Sequence, residues 1–560
     1  MQSPKFKVII AGGSVAGLSL AKMLETVGID FVVLESYATI APQVGASIGL
    51  LGSGLRILDQ LGVFEDLSQR APDVLRSTTL RSLDGILARH SGLDRLFLDR
   101  FGYPFIFMDR QTLLQVLYDS ITAKSKIHTS QRVVSVSLIH NGVKILTKDG
   151  STFTGDILVG ADGVHSTVRR EMWRIAEMIQ PGYVPTSEWK RLRCEYACIF
   201  GISGPTGGFK GGDAVSVFRE HYSCFVTGGP EGKIYWFLFV GLQKPLCGSD
   251  IPRYTKEEEE KLATKHRGLV IDNSLVFGDL YASRKTSIMT PLEEGVFDKW
   301  HFGRIMTIGD AAHKFHPLGA QGGNSAIETA AALANNITKM LQQKIHISDA
   351  DIQGMFEQVQ NLRKPRTKRM QQASNRRQRV EAMENAFLKF TALNIIPYIG
   401  KELVFRRFYT LISPAIKLDY LEVPRRPRLA PFHDELPAKP QNSSKATVAC
   451  IVLVMLSLAG FAWACLHQRP FENAMLISSS VITPANDEFA RAIFSWPGIL
   501  GRDVRSASVD FRISSLVSLV SELDATQRLT IFYFSMMLIP YIVIWIIDGI
   551  SNRLFFSICS

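Results

Sequence analysis

The chain is 560 residues long, 46% apolar, and carries a formal net charge of +11. Its length implies two or more domains with sizeable cores. The positive charge comes with no RNA- or DNA-binding motif, so nucleic acid is set aside, and the seven scattered cysteines show no paired metal-ligand spacing, so no metal site is expected.

The first predicted unit is "KVIIAGGSVAGLSLAKMLETVGIDFVVLE", residues 7 to 35. It reads as strand, glycine turn, amphipathic helix and strand, the dinucleotide-binding pattern G-x-G-x-x-G. Gly12 permits the tight turn, Gly17 lets the helix pack against the sheet, and the helix N-terminus offers unpaired N–H groups to a pyrophosphate. Ser14 replaces the second glycine, and its small hydroxyl can donate to phosphate. Glu35 closes the second strand, where a carboxylate can accept from ribose hydroxyls. The first apolar run belongs to this strand, so no signal peptide is read.

A second cluster, "ILVGADGVHSTVRR" (157 to 170), is a buried strand followed by Gly160, Asp162 and Gly163. Alternating segments such as "AVSVFREHYSCFVTGG" and "KIYWFLFVGL" then predict a sheet between about 185 and 290. Tyr222, Phe225, Tyr235, Trp236 and Phe239 are candidates for its pocket face or for plain core. The third cluster, "IMTIGDAAHKFHPLGAQGGNSAIETAAALANNI" (305 to 337), ends a strand at Gly309 and Asp310. Pro317 and Gly319 lie in its loop, and Gly322, Gly323 and Asn324 start an alanine-rich helix. His313 and His316 read as solvent-side or structural rather than as acids or bases.

Basic residues concentrate in "RKPRTKRMQQASNRRQR" (363 to 379), ahead of the apolar "AFLKFTALNIIPYIGKELVF". That order suits a juxtamembrane helix on anionic headgroups, and a solvated helix face is the alternative. Residues 446–466 and 529–547 are uncharged runs long enough to cross a bilayer core, at ~1.5 Å per residue. Arg425, Arg426, Arg428, Lys439 and Lys445 precede the first run, which keeps the N-terminal part cytosolic by the positive-inside rule.

In this order the three clusters resemble the FAD-dependent monooxygenases of the para-hydroxybenzoate hydroxylase type, with their G-x-G-x-x-G, D-G and G-D signatures, over residues 5 to about 385. The resemblance implies an α/β fold: a Rossmann-like FAD-binding domain (1–185 and 291–385) with an inserted substrate-binding β-sheet domain (186–290). A basic and apolar juxtamembrane linker (386–445) then leads to a C-terminal transmembrane helix pair, with a loop at 467–528 between the spans and a short tail at 548–560. It also implies roles: Glu35 at the ribose, Asp310 at the ribityl chain, and Arg110, in "FMDRQTLLQVLY", near the flavin phosphate. Gly49, in "GASIGL", passes the flavin with its backbone, and Asp162 holds a loop that serves FAD and the nicotinamide cofactor. Ala320 and Glu328 depart from the glycine and aspartate of many relatives. Physics supports the third cluster, because a helix starting at Gly322 to Asn324 places about half a positive charge beside the reduced flavin. Pro317 suits the wall of a dry pocket, having no N–H for proton exchange.

The segments "FKVIIAGGSVAGLSLA", "APQVGASIGLL", "RILDQLG", "KIHTSQRVVSV" and "GADGVHSTVRREMWR" are similar to the fungal monooxygenases of the paxilline type. This similarity implies epoxidation of a prenyl-chain alkene in an indole-diterpene or meroterpenoid intermediate, using FAD, NADPH and O2, before a membrane-bound terpene cyclase acts. It implies a two-span protein of the endoplasmic reticulum, in contact with the lipid bilayer, that takes a prenylated small-molecule substrate. Arg219 and Tyr222 are the candidate side chains on the substrate face. A phenol hydroxylase or Baeyer–Villiger oxygenase, a prenyl-chain reductase and a flavin-binding scaffold without turnover are the rival readings.

Overall fold

In the computed structural model, residues 6–42 and 47–436 are described. The two apolar runs expected to span a membrane, with the loop and tail around them, lie outside those residues. Among the described residues no helix is long and apolar enough to cross a membrane.

Val8, Ile9 and Ile10 are fully buried because the strand Lys7–Ala11 runs through the middle of a six-stranded sheet. Continuous apolar runs are what a strand covered on both faces requires. Lys7–Ala11 pairs in parallel with Asp30–Leu34 and with Ile157–Gly160, which in turn pairs in parallel with Ile305–Thr307. Ile127–His128 and the antiparallel His301–Phe302 close the two edges. Consequently the glycine turn, Glu35, the Asp162 loop and the Gly309–Asp310 loop all leave the sheet at one rim. Open parallel sheets bind ligands at that rim.

The second sheet has eight strands, and it is larger than the alternating pattern predicts. Its centre is Arg193–Ser203, Ile234–Cys247, Tyr222–Gly228 and Asp213–Arg219, paired antiparallel in that order, with Arg284–Val296 beyond Arg193–Ser203. The hairpin Ser77–Ser82 and Gly85–Ser91, far upstream, joins through a parallel pairing of Ser77–Ser82 with Asp213–Arg219. At the other edge His313–Lys314 pairs with Gly295 and Val296. The insert boundaries of 186 and 290 are therefore corrected, since these edge pairings are long-range and leave no local trace in the sequence. Helices Lys256–Lys265 and Phe277–Ala282 cover one face, on which Cys224, Val226, Trp236 and Leu238 are buried. The opposite face carries Phe225, Phe237 and Phe239, as a period of two demands.

Helix Gly322–Gln343 packs against helix Val15–Thr26 and against the long helix Asp349–Glu381. The basic run at 363 to 379 is part of that long helix, and it is not one solvated face. Arg363 and Arg366 turn inward, where Arg363 Nη1 donates to Glu328 Oε2 at 2.6 Å. Arg366 donates to both Glu328 oxygens at 2.8 Å. A carboxylate with no exposure needs such partners.

Within the expected linker of 386–445, the stretch from Ile412 to Glu435 is strapped onto helix Gly52–Gln60 rather than running free. Arg56, buried, forms a two-pronged pair with Asp434 at 2.8 Å, and Arg426 does the same to Asp59 at 2.6 and 2.9 Å. Gln60 exchanges hydrogen bonds with the backbone of Leu418 and Leu421. Without this strap Arg56 would be a buried cation lacking an anion.

Replacing Glu328 leaves two cations around a neutral side chain, so Glu328→Gln is expected to cost about 3–5 kcal/mol in denaturant unfolding. Burial pushes the Glu328 carboxyl up, but the two guanidiniums outweigh it and hold it below its ordinary 4.5. Its stabilisation is thus fully present above pH 4.5 and lost as pH falls through the folded value, a limb that Glu328→Gln will lack.

Candidate active site

A cleft of about 580 Å³ opens at the rim of the six-stranded sheet, within the usual range of cofactor pockets. Its walls include Gly12, Ser14, Glu35, Gly49, Arg110, Asp162, Asp310, Pro317, Gly322 and Gly323. All three predicted clusters therefore meet, together with two residues from segments between them. Gly17 and Asn324 are not in the lining.

Gly17 acts through packing, because a β-carbon there would lie 1.9 Å from the Gly12 carbonyl oxygen. Gly12 itself sits at φ +109°, where a side chain is strained, and its β-carbon would strike the Ala161 carbonyl at 2.4 Å. The first two clusters touch through these missing side chains. Glu35 is buried, and its Oε2 accepts from the Gly13 N–H at 2.6 Å while Oε1 accepts from the Tyr37 N–H at 2.8 Å. The carboxylate thereby fixes the turn that it faces. Arg110 Nη2 donates to Ser14 Oγ at 2.6 Å, bringing a cation to the start of helix Val15–Thr26. Asp109, next to it, accepts from Lys233 of the second sheet at 2.8 Å, so that sheet is tied to the same wall.

Asp162 lines the cleft, yet its carboxylate caps the helix Thr167–Ile179. It accepts from the Thr167 and Val168 N–H groups at 2.7 and 3.0 Å and from Ser166. It holds the loop rather than presenting a free anion. Asn324 is corrected in the same sense: its Oδ1 accepts from the Leu51 N–H at 3.0 Å, and its Nδ2 donates to the Gly49 and Ala320 carbonyls at 2.9 and 2.7 Å. It is a positioning residue that pins the strand Ser47–Leu50 to the helix start. Asp310 does face the cleft and is paired with Lys314, which sequence reasoning passed over because a lysine in that loop matches no template.

The helix Gly322–Gln343 opens on the cleft. No atom lies within 4 Å of where a Gly322 β-carbon would be, whereas one on Gly323 would meet Ile48 at 2.5 Å. Gln321, at its N-cap, is buried with neither amide atom partnered. Open space, unpaired polar atoms and a helix N-terminus together fit a large group with a polar, electron-rich rim. His313 and His316 are fully buried, and burial pushes both down to about 3, so they are neutral at physiological pH. His313 Nε2 lies 2.9 Å from Thr329 Oγ1, and His316 Nδ1 accepts from the Leu318 N–H at 3.3 Å, which keeps the loop after Asp310 in shape.

Comparison with known proteins agrees with this geometry. A family model described as "FAD binding domain" matches residues 5–180 and 256–348. The FAD-dependent monooxygenase penE of Penicillium thymicola is 39% identical over 429 residues, 76% of this chain and 90% of that one. For the FAD-dependent monooxygenase andE of Emericella variicolor the identity is 38% over 428 residues, again 76% and 90%. The chain belongs to the FAD-dependent monooxygenase family. Klebsiella pneumoniae HpxO complexed with FAD and uric acid shares the fold, with a TM-score of 0.60 at 21% identity, covering 73% of this chain and 96% of that one. The cofactor of this monooxygenase is FAD, with NAD(P)H as reductant and O2 as co-substrate.

Of the candidate substrate-side residues in this monooxygenase, Phe225, Tyr235 and Phe239 lie on the cleft side of the large sheet. Phe225 packs on Phe107 at 5.8 Å, and Phe107 closes over Gly49; the Phe239 ring packs tilted against His316 at 4.8 Å. Tyr222 and Trp236 lie on the other face, among the helices. Arg219 pairs with Tyr222 across the strands and so shares that face, and the Tyr222 ring packs edge-on against His266 at 4.7 Å. Both candidate catalytic residues are therefore corrected by one step of strand parity. Phe107 and Phe237 were missed, and alternation counted from Phe225 and Phe239 is the signal that finds Phe237.

Replacing Arg110 removes a charge-assisted hydrogen bond beside the helix start. Arg110→Ala is expected to weaken FAD binding by about tenfold or more, read by flavin fluorescence titration of the full chain. Tyr222→Phe should leave it unchanged.

Proposed function

We propose that this monooxygenase epoxidises an alkene of a prenyl chain in a meroterpenoid or indole-diterpene intermediate, ahead of terpene cyclisation. The observation that carries the reading is the wall beside Gly49 and Pro317. There Phe107, Phe225 and Phe237 form a ladder of rings with centroids 5.8 and 6.3 Å apart. Such a surface holds an unbranched or methyl-branched hydrocarbon by burial, at roughly 25 cal/mol per Å2, without asking it for a polar group. Leu318, also buried, stands on the same side.

Reduced FAD, when bound, supplies the activation of O2 from which one oxygen atom is transferred. The residues of this chain supply place and dryness. The N-terminus of helix Gly322–Gln343 favours negative charge at its end of the cleft, and Arg110 with Ser14 would hold the phosphates of the cofactor. Pro317 in the cleft wall and the aromatic ladder beside it offer water no polar side chain, which matters more for an alkene than proton transfer does, because an alkene has no proton to give up. The neutral histidines behind the loop accord with that division of labour.

A hydrocarbon of farnesyl or geranylgeranyl length resides in lipid, and the uncharged runs 446–466 and 529–547 give the enzyme a reason to be there. The proposal therefore includes a two-span anchor in the endoplasmic reticulum, a cytosolic catalytic part, NADPH as the reductant and a membrane-bound terpene cyclase as the next enzyme.

Microsomes containing the full chain, given NADPH and farnesylated or geranylgeranylated aromatics, should consume NADPH and O2 in equal amounts. The product should gain one oxygen on the prenyl chain. Oxygen on the ring would make the enzyme a hydroxylase, and a gain of two hydrogens a reductase; either outcome defeats the proposal. Phe225→Ala is expected to raise KM for the long-chain substrate about tenfold, whereas Tyr222→Phe leaves it unmoved.

A further inference from the structure

Beyond the long helix Asp349–Glu381 the chain turns through three short helical pieces, Ala386–Phe390, Thr391–Ile395 and Ile396–Tyr398, into helix Lys401–Ile412. The inner side of this elbow is well packed. Ala392 is buried with Phe218 and Met383, while Phe405 and Phe408 meet Phe101 and Phe97 at 5.0 and 5.1 Å.

The outer side is apolar and open. Phe387, Phe390, Ile395, Tyr398 and Leu403 are exposed, Phe387 at 73% and Tyr398 at 86%. Scattered apolar residues on a surface need no explanation, but Phe387, Phe390, Ile395 and Tyr398 follow one stripe, and Leu403 comes after the extended residues Ile399 and Gly400. The step of five from Phe390 to Ile395 coincides with a π-helical turn, whose wider winding returns the side chain to the same face. Steps of three on either side suit the flanking turns.

Two observations say what covers the stripe. Residues 386–412 hold Lys389, Lys401, Arg406 and Arg407 against one acid, Glu402; Lys389 is paired with Glu220 and Glu402 with Arg100, so the remaining balance is positive, as an anionic headgroup layer attracts. The described chain also ends beside this elbow, since Tyr409 Oη donates to the Pro431 carbonyl at 3.1 Å and the His433 N–H to the Ser413 carbonyl at 2.8 Å. From residue 436 the first uncharged run begins ten residues on, a covalent reach of at most ~35 Å.

We propose that the elbow at 386–403 lies in the interface of an anionic bilayer with Phe387, Phe390, Ile395, Tyr398 and Leu403 immersed, as a second membrane contact separate from the anchor. This rests on the anchored reading above. Phe405 and Phe408 connect the elbow to Phe101, Phe97 and Phe105, the rings behind Phe107, so the contact holds the substrate wall at a fixed distance from the lipid.

The test uses the full-length chain with a small fluorescent amino acid in place of Phe387 or Tyr398, or of Ile345 as an exposed control off the elbow. The chains are reconstituted into phosphatidylcholine–phosphatidylserine vesicles, with and without brominated acyl chains. Emission at positions 387 and 398 should shift to the blue and lose about half its intensity to bromine, while position 345 does neither. A chain that floats with the vesicles but shows equal quenching at all three positions overturns the elbow and leaves the anchor standing. Failure to float overturns both. A blue shift without quenching that grows with protein concentration would put a second copy of the chain on the stripe, and this too overturns the proposal.

Discussion

The contact between Gly17 and the Gly12 carbonyl is the constraint on which the cleft depends. A β-carbon 1.9 Å from that oxygen cannot be accommodated, so only glycine lets helix Val15–Thr26 start directly over the turn. The same turn needs Gly12 at a positive φ to clear the Ala161 carbonyl. Two parallel strands, Lys7–Ala11 and Ile157–Gly160, are thereby allowed to end side by side with their loops in contact. The helix start, Glu35 and the Asp162 loop then face one volume.

Around that contact, several polar side chains hold other parts of the protein. Asp162 caps a helix, Asn324 joins a strand to a helix start, and Glu328 gathers two arginines between two helices. Asn324 and Glu328 are fully buried and Asp162 is half-buried, and such a polar group is stable only when its partners are complete. Preorganisation of this kind keeps the open sites, namely Gly322, Gln321 and the Arg110 guanidinium, in place before a cofactor arrives. The strap from Ile412 to Glu435 belongs to the same logic, since it supplies the anions for Arg56 from far along the chain.

Much of this was legible in the sequence, and what was not has physical reasons. The parallel sheet and its three loops announce themselves because glycine, a terminal acid and apolar runs are local requirements with fixed spacing. Arg110 and Gly49 were reachable only through resemblance, as neither sits in a pattern of its own. The faces of the large sheet were misread at Arg219 and Tyr222 because the inward parity of a strand is set by its neighbours, here helices Lys256–Lys265 and Phe277–Ala282. The pairing of Ser77–Ser82 with Asp213–Arg219 and the partners of Arg363 and Arg366 are long-range, and composition alone made the latter look like surface charge.

The proposed hydrocarbon substrate rests on the aromatic ladder beside the cleft, and the proposed lipid contact on the apolar elbow. All of it presumes that the three loops grip FAD. The most direct measurement is the visible spectrum and flavin content of the purified full-length protein, after incubation with FAD and removal of the excess. The account predicts a yellow protein with equimolar FAD released on denaturation; a colourless chain that takes up no FAD would contradict it.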